Sequence, residues 1–358
     1  MGLGAIVVVD AGDRGLNSFA AEEKPGMKAL LAEPLAYVDV IGRSMLERAV
    51  EQFVRADVEV VTVLLPADFS HDVPAFPASF GNVQFQTVND VSPAVAGKLK
   101  EYSQNGIDHT FLASSALYAE TDLLDFFFFH REARQMVTRA VDGQGSLDLW
   151  VVDCAAQHSD LDNKLTREQG NGSSYFVGGY ARRLTRPHDL RLLISDVLRG
   201  RCAIRPPGQA AKAGLWIDEG AEVDRRARIV APAYIGRGVR IQEDALITRC
   251  SSLEEGCYVD CGTVIEDSSI LANTHVGIWL DVRHAVASGN KLLSMEHDVV
   301  LEISDPNVMR STRPAEAMKN FAPNAQHEKP EMVAAPTEDS EDAPAPETWQ
   351  LGANPIQG

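Results

Sequence analysis

An aliphatic residue recurs every six positions through the second half of the chain, and this repeat constrains the fold more than any other feature. The series starts at Ile217 and runs without a miss to Leu271. Mostly small residues, starting with Ala221, stand four positions after each member until His275 interrupts them. An α-helix repeats about every 3.6 residues and a strand about every 2, so neither produces this period.

A triangular coil with three six-residue sides accounts for the period. Each aliphatic residue then points into the prism, and each small residue fits beside it. Roughly three circuits of about 18 residues are expected. The pattern resembles the left-handed hexapeptide-repeat β-helix over about residues 215–290. The segment GIWLDVRHAVASGNKLL is expected to hold a last irregular circuit and a cap, because a solenoid needs its open end covered.

The N-terminal half follows a different pattern, in which short apolar runs alternate with helical ones. The runs GAIVVVD, VEVVTVLLP, VQFQTV, HTFLASS and LDLWVVDC predict strands. The segments MLERAVEQFVRAD, PAVAGKLKEYSQNG, DLLDFFFFHREARQM and PHDLRLLISDVLRG predict helices. This alternation predicts a Rossmann-like α/β layer with a mostly parallel sheet covered on both faces.

Three regions follow from these patterns. An α/β domain is predicted over residues 1–212, and a left-handed parallel β-helix with its cap over 213–304. Residues 305–358 are rich in Pro, Ala, Glu, Asp and Ser, with little apolar content to offset the entropy of ordering. They predict a disordered acidic tail.

Composition excludes several classes of partner. The 358 residues carry a formal net charge of -18, which disfavours nucleic acids and anionic membrane surfaces. No apolar stretch approaches the roughly 20 residues that cross a bilayer. The five cysteines form no C-x-x-C pair and indicate neither a disulfide framework nor a zinc site. The expected location is the cytoplasm.

The order of an α/β domain and a hexapeptide β-helix resembles the sugar-1-phosphate nucleotidyltransferases, the nucleotide-sugar pyrophosphorylases. Two stretches carry the likeness further. EPLAYVDVIGRSMLERAVEQFVRADVEVVTVLLP is similar to the family's Lys-Pro-Leu, turn, helix and second strand, and FLASSALYAETDLLDFFFFHREARQMVT to its Asn-Gly-Asp segment. The resemblance implies binding of a nucleotide or nucleotide sugar, and Mg²⁺ if the protein is active.

The stretch DAGDRGLNSF corresponds to the family's Ala-Gly-Gly-x-Gly-Thr-Arg-Leu phosphate loop. Asp13 replaces a glycine and Asn17 replaces the arginine, so a carboxylate stands where phosphate should lie. Arg14 offers compensation if the loop shifts. The nucleotide-binding candidates are Ala11, Gly12, Asp13, Arg14 and Gly15.

Two further positions depart from the family at its charged groups. Glu33 replaces the lysine of Lys-Pro-Leu, with Lys24 and Lys28 as nearby substitutes, and Ala116 replaces the metal-binding aspartate of Asn-Gly-Asp. Asp122 is interpreted as a helix cap. Asp218, in WIDEG, corresponds to a second metal ligand or, alternatively, belongs to the first rung of the repeat.

The combined changes at Asn17, Glu33 and Ala116 predict a nucleotidyltransferase-like pseudoenzyme with weak or lost catalysis. One alternative is a non-catalytic scaffold or regulatory subunit, associating as a homo-oligomer through the β-helix. Another is a hexapeptide acyltransferase that uses His275 or His284 as general base.

Overall fold

The computed structural model describes residues 2–9, 27–31, 33–67, 80–156 and 173–313. All of them belong to one compact unit, Met1–Pro323, whose range covers both predicted domains. A second unit, Asn324–Gly358, lies outside the described residues, as does most of the predicted tail. The proposed phosphate-loop residues Ala11 to Asn17 also lie outside them.

The N-terminal part combines five helices with nine strands in the described residues. The helices are α1 Met27–Leu30, α2 Met45–Arg55, α3 Val91–Gln104, α4 Leu123–Ala133 and α5 Pro187–Leu198, with a 3-10 turn at Leu35–Tyr37. The strands are β1 Gly2–Val8, β2 Val60–Pro66, β3 Val83–Val88, β4 Ile107–Ser114, β5 Leu117–Ala119, β6 Val137–Asp142, β7 Gly145–Asp153, β8 Ser174–Phe176 and β9 Ala181–Arg183.

Seven of these strands form one sheet in the order β3-β2-β1-β4-β7-β6-β8. Strands β3, β2, β1 and β4 are parallel, whereas β7 runs antiparallel to both β4 and β6. Separate apolar clusters cover the two faces, one including Phe53 and Phe126 and the other Leu99 and Trp150. The five strands and four helices predicted from sequence are confirmed; β5, β6, β8 and β9 were missed because they are short or polar.

Local signals in the sequence explain where the helices begin. Ser44 and Glu47 form a reciprocal capping box at the start of α2. The Asp122 side chain accepts hydrogen bonds from Leu124 N and Asp125 N, both at 3.0 Å, which confirms its role as the cap of α4. Proline opens α5, where its missing N–H costs nothing.

The C-terminal part consists of short strands, and the chain is a mixed α/β protein with parallel sheets and few helices. These strands are β10 Gln209–Lys212, β11 Leu215–Ile217, β12 Glu222–Val223, β13 Arg228–Ile229, β14 Ala233–Ile235, β15 Arg240–Ile241, β16 Leu246–Thr248, β17 Ser251–Leu253, β18 Tyr258–Val259, β19 Val264–Glu266, β20 Ser269–Ile270, β21 Thr274–Val276, β22 Asp281–Arg283, β23 Ala285–Ser288, β24 Lys291–Ser294, β25 Val299–Glu302 and β26 Met309–Ser311.

From β11 onward the chain visits three sheets in rotation. One contains β11-β14-β17-β20-β23, another β12-β15-β18-β21 and the third β13-β16-β19-β22, and all of these neighbours pair in parallel. Ile217 pairs with Ile235, and Ile235 with Leu253, each 18 positions later. Three steps of the six-residue repeat therefore complete one circuit.

The repeat shortens by one residue after β19, which the sequence analysis missed. Leu253 pairs with Ile270 and Val259 with Val276, each 17 positions later. The buried apolar series thus continues through Ile270 and Val276, and Leu271, assigned to it from sequence, packs in a different cluster. The small-residue series continues at the fully buried Thr274 rather than ending at His275.

Antiparallel strands close the end of this region, as expected of a cap. Strands β23, β24 and β25 form a meander, and β26 pairs antiparallel with β21.

The two predicted domains share one apolar cluster. It joins Leu35 and Leu193 of the N-terminal part to Tyr234 and Val286 of the repeat region. Among the described residues, no helix is long and apolar enough to span a membrane.

Candidate functional site at the ends of the parallel strands

The carboxyl ends of β1 and β4 share one edge of the sheet. The two strands run parallel, with Val8 opposite Ser114, and Ser115 N donates a hydrogen bond to Val8 O at 2.9 Å. Open α/β sheets bind ligands at this edge, and Ala116 follows β4 there. The segment after β1, with the nucleotide-binding candidates, lies outside the described residues.

Ala116 is buried at this edge in apolar surroundings. Its backbone N–H donates to Ser114 Oγ at 3.0 Å, and its carbonyl accepts from Leu184 N at 2.8 Å. The methyl group belongs to a cluster with Leu31, Leu35 and Leu184. A metal at this position would find a methyl group and leucines instead of a carboxylate. In the part of the chain that is described, no group of three His, Cys, Asp or Glu residues is arranged to hold a metal ion.

Glu33 forms a two-pronged ion pair with Arg313. The guanidinium donates to the two carboxylate oxygens at 2.7 and 3.1 Å. Both side chains are largely shielded, at 16% exposed for Glu33 and 25% for Arg313. Arg313 follows β26, so the end of the repeat region reaches back to the N-terminal part. The negative charge of Glu33 is therefore neutralised by a partner 280 positions away.

A tight turn at Ile41 and Gly42 docks on the repeat region beside this ion pair. The fully buried Glu254 receives Ile41 N–H on Oε1 at 2.8 Å and Gly42 N–H on Oε2 at 2.9 Å. Gly42 has φ of +72°, and an added Cβ would lie 2.4 Å from the Tyr234 hydroxyl. Only glycine fits this position, because both the backbone and the neighbouring side chain exclude a Cβ.

The carboxyl groups around the turn have perturbed acidity. Burial raises the pKa of Glu254 to about 8; Asp39 adds to the rise, while the two N–H bonds and Arg48 oppose it. The pKa of Asp39 is raised to about 7 by burial and then by the charge of Glu33, and Arg313 opposes that shift. The turn and the Glu33 ion pair therefore belong to one electrostatic neighbourhood.

Asp218 lies directly after β11, at the other side of this neighbourhood. Its Oδ2 accepts a hydrogen bond from the Tyr234 hydroxyl at 3.3 Å, and its Oδ1 accepts Glu219 N–H at 2.8 Å. Burial raises the pKa of Tyr234, and Glu254 and Asp218 contribute. Asp218 N donates to Ile235 O, so the residue follows the register of the repeat.

The two histidines considered for acyl transfer lie in different surroundings. His275 is 4% exposed, its Nε2 lies 3.0 Å from Asp260 Oδ2, and β26 pairs alongside with Arg310 opposite. Its Nδ1 is buried with no partner among the described residues. His284 keeps 52% of its side chain exposed, and its Nδ1 lies 2.7 Å from Asp267 Oδ2.

Sequence reasoning missed two residues of this region, Arg313 and Glu254. Arg313 stands at the start of a segment that reads as solvated. Glu254 belongs to Glu-Glu-Gly, an ordinary turn sequence in the repeat. Neither carries a local signal, because each acquires its role from a distant partner.

No family model matches this chain, and no curated protein matches it.

Proposed function

We propose that this chain is a nucleotidyltransferase-like protein of nucleotide-sugar metabolism whose pyrophosphorylase activity is weak or lost. Such an enzyme must hold a triphosphate and a metal while a sugar phosphate attacks the α-phosphorus and expels pyrophosphate. The protein would retain a pocket for a nucleotide or nucleotide sugar at the carboxyl edge of the sheet.

The observation that carries the proposal is the environment of Ala116 and Glu33. A position that needs a metal-binding carboxylate holds a buried methyl group among leucines. A position that needs a cation holds a carboxylate already paired with Arg313. Ala116 is packed among apolar side chains and Glu33 is held in an ion pair, so a bound ligand could not move either side chain at low cost.

Three finer expectations belong to the same proposal. The sheet of β1–β4 corresponds to a Rossmann-like domain over residues 1–212, and the rotation among three sheets with an 18-residue register supports a left-handed β-helix over 213–304. The protein is proposed to act in the cytoplasm as a homo-oligomer that associates through the flat faces of the helix. Mg²⁺ would be required only if turnover survives.

Pyrophosphate release tests the proposal directly. The full chain is incubated with each nucleoside triphosphate, a panel of sugar 1-phosphates and Mg²⁺, and released pyrophosphate is measured by a coupled assay. We expect no release above the protein-free blank. A kcat of about 1 per second or higher, the ordinary range of enzymes, would contradict the proposal.

Calorimetric titration with nucleoside triphosphates and nucleotide sugars separates a binding protein from a purely structural one. Binding without turnover supports a retained pocket. Absence of binding by every nucleotide and nucleotide sugar would refute that part of the proposal and leave the scaffold alternative.

A second candidate, acyl transfer, is favoured by the pair formed by His284 and Asp267. Asp267 Oδ2 lies 2.7 Å from Nδ1 and can orient the imidazole, while 52% of the His284 side chain stays exposed, an arrangement suited to a general base. His275 lacks that access, because it is buried beside β26. The scaffold alternative has no comparable observation of its own.

This candidate is tested by measuring the rates of acetyl coenzyme A hydrolysis and of acetyl transfer to amines. If His284 is a base, His284→Ala should lower the rate about 100-fold or more, the usual contribution of general base catalysis. His297→Ala, at an exposed histidine in the same cap, should leave it unchanged. Equal rates in wild type and both variants would eliminate acyl transfer at His284.

A further inference from the structure

A cleft lies between α2, the segment after β5 and the segment before β10. Its volume is about 580 Å³, within the range of small-molecule sites. Neither Glu33 nor Ala116 lines it. Four guanidinium groups line it, those of Arg43, Arg48, Arg55 and Arg205.

Three carboxylates also line the cleft, and each is engaged by the protein itself. Glu51 accepts from Arg43 at 3.0 Å and from Arg55 at 2.6 Å. Glu120 accepts from the Tyr118 hydroxyl at 2.9 Å and from a backbone N–H of residue 203. Asp122 caps α4. Glu51 thus offsets one of the two charges of Arg43 and Arg55, and Glu120 and Asp122 are held by uncharged donors. Four guanidinium groups and three carboxylates leave one net positive charge in the lining of the cleft.

Arg48 and Arg205 have no carboxylate partner in the described part of the chain. Arg48 donates through Nη2 to the carbonyls of Val40 and Ile41, at 2.5 and 3.0 Å. Arg205 donates through Nη1 to two carbonyls in its own segment, at 2.9 and 3.2 Å. Arg48 Nε is buried and lacks any hydrogen-bond partner among the described residues. Arg48 and Arg205 therefore line one concave space, and neither is hydrogen-bonded to a carboxylate of the described residues.

Arg48 and the Arg205 segment lie close together across this space. The charge of Arg48 helps to lower the pKa of Cys202, although burial raises it overall, and the Cys202 carbonyl accepts from Arg205. Burial lowers the pKa of Arg48 itself, and the charge of Glu254 opposes that shift without a hydrogen bond between the two side chains.

We propose that this cleft binds a small phosphate monoester, with Arg48 and Arg205 holding the phosphate. The planar fork of each arginine fits phosphate oxygens through paired N–H bonds. Tyr118, whose hydroxyl donates to Glu120, and Thr121 line the same space beside the rest of the molecule. A phosphate monoester has three terminal oxygens to share between two guanidinium groups, whereas a carboxylate has two oxygens and pairs with one fork.

Titration calorimetry at fixed ionic strength tests the site with inorganic phosphate, glycerol 3-phosphate and acetate as probes. We expect both phosphates to bind and acetate to bind at least about tenfold more weakly. Arg205→Gln should weaken glycerol 3-phosphate binding about tenfold or more, because it removes one of the two charges. Arg48→Lys, which keeps the charge but loses the fork, should weaken it as well.

Arg228→Gln is the matched control, since Arg228 is an exposed arginine on β13 that does not line the cleft. It should bind both phosphates as the wild type does. Arg205 is exposed, so its variant is expected to stay folded, which circular dichroism checks.

The proposal would be overturned if neither phosphate gave a binding heat, or if wild type and Arg205→Gln bound glycerol 3-phosphate with equal affinity. It would also be overturned if Arg205→Gln and Arg228→Gln weakened that binding equally. Acetate binding as tightly as phosphate would also refute it. Nucleoside triphosphate binding at the strand ends is measured separately and is expected to be unchanged in Arg205→Gln, so the two proposals fail independently.

Discussion

Replacing Glu254 by glutamine should change how the stability of the protein depends on pH. The carboxyl group is fully buried and its pKa is raised to about 8, while in the unfolded chain it titrates near 4.5. The folded state therefore keeps a proton that the unfolded state releases between these values. Its contribution to stability is greatest below about pH 4.5 and falls as pH rises toward about 8.

The magnitude follows from the two pKa values. Integrating the proton difference from about pH 6 to about pH 8 gives a loss on the order of 2 kcal/mol from Glu254 in the wild type. Glu254→Gln cannot titrate and should lack this loss. The variant also exchanges one acceptor oxygen for an amide group facing a backbone N–H, which costs about 1–3 kcal/mol at every pH.

Urea unfolding of both proteins at several pH values measures the effect. The free energy of unfolding of the wild type should decline relative to that of Glu254→Gln across this range. Comparing the two proteins removes contributions from groups that do not interact with Glu254, such as His130, whose pKa is lowered by burial to about 4 and which acts with the opposite sign. Glu296→Gln, at an exposed glutamate after β24, is the matched control and should follow the wild-type profile.

Parallel pH profiles for wild type and Glu254→Gln would refute this reasoning. A wild type that gains stability relative to the variant as pH rises would mean that the two N–H bonds, rather than burial, dominate the acidity of Glu254.

Three further predictions concern the same framework. A double-mutant cycle with Glu33→Gln and Arg313→Gln should give a coupling energy of about 1–3 kcal/mol by thermal unfolding, because the pair is shielded; additive effects would contradict that. Gly42→Ala should destabilise more than Gly81→Ala, since both have positive φ, +72° and +69°, but only Gly42 has neighbours within 4 Å of the added Cβ; equal losses in urea unfolding would argue against the tight docking. Asp122→Ala should cost about 1 kcal/mol by the same measurement through loss of the cap, while Asp122→Asn, which can still cap, should cost less; the reverse order would contradict the cap.

Much of the local structure was predictable because it is encoded by neighbouring residues. Apolar runs and helical spacing located the strands of the main sheet, and Asp122 and Pro187 marked helix starts. The six-residue period identified most of the buried column of the repeat region, since each inward position must be apolar and its neighbour small. It failed at Leu271 because a turn one residue shorter changes the phase without changing the kind of residue.

The same shift decided the orientation of His275. In the strict period it occupied the place of a small inward residue, whereas Thr274 takes that place in the structure and His275 pairs with Asp260.

The sequence by itself determined the alternation of strands and helices, the six-residue repeat, and the presence of a carboxylate at Glu33 and a methyl group at Ala116. Only the tertiary structure decided what surrounds those positions. Arg313 neutralises Glu33 from 280 positions away, and Glu254 becomes buried because Ile41 and Gly42 pack on it. The six-residue period reflects inward-facing positions that recur at a fixed spacing along the chain. The burial and ion pairing of a charged residue depend instead on which distant part of the chain covers it.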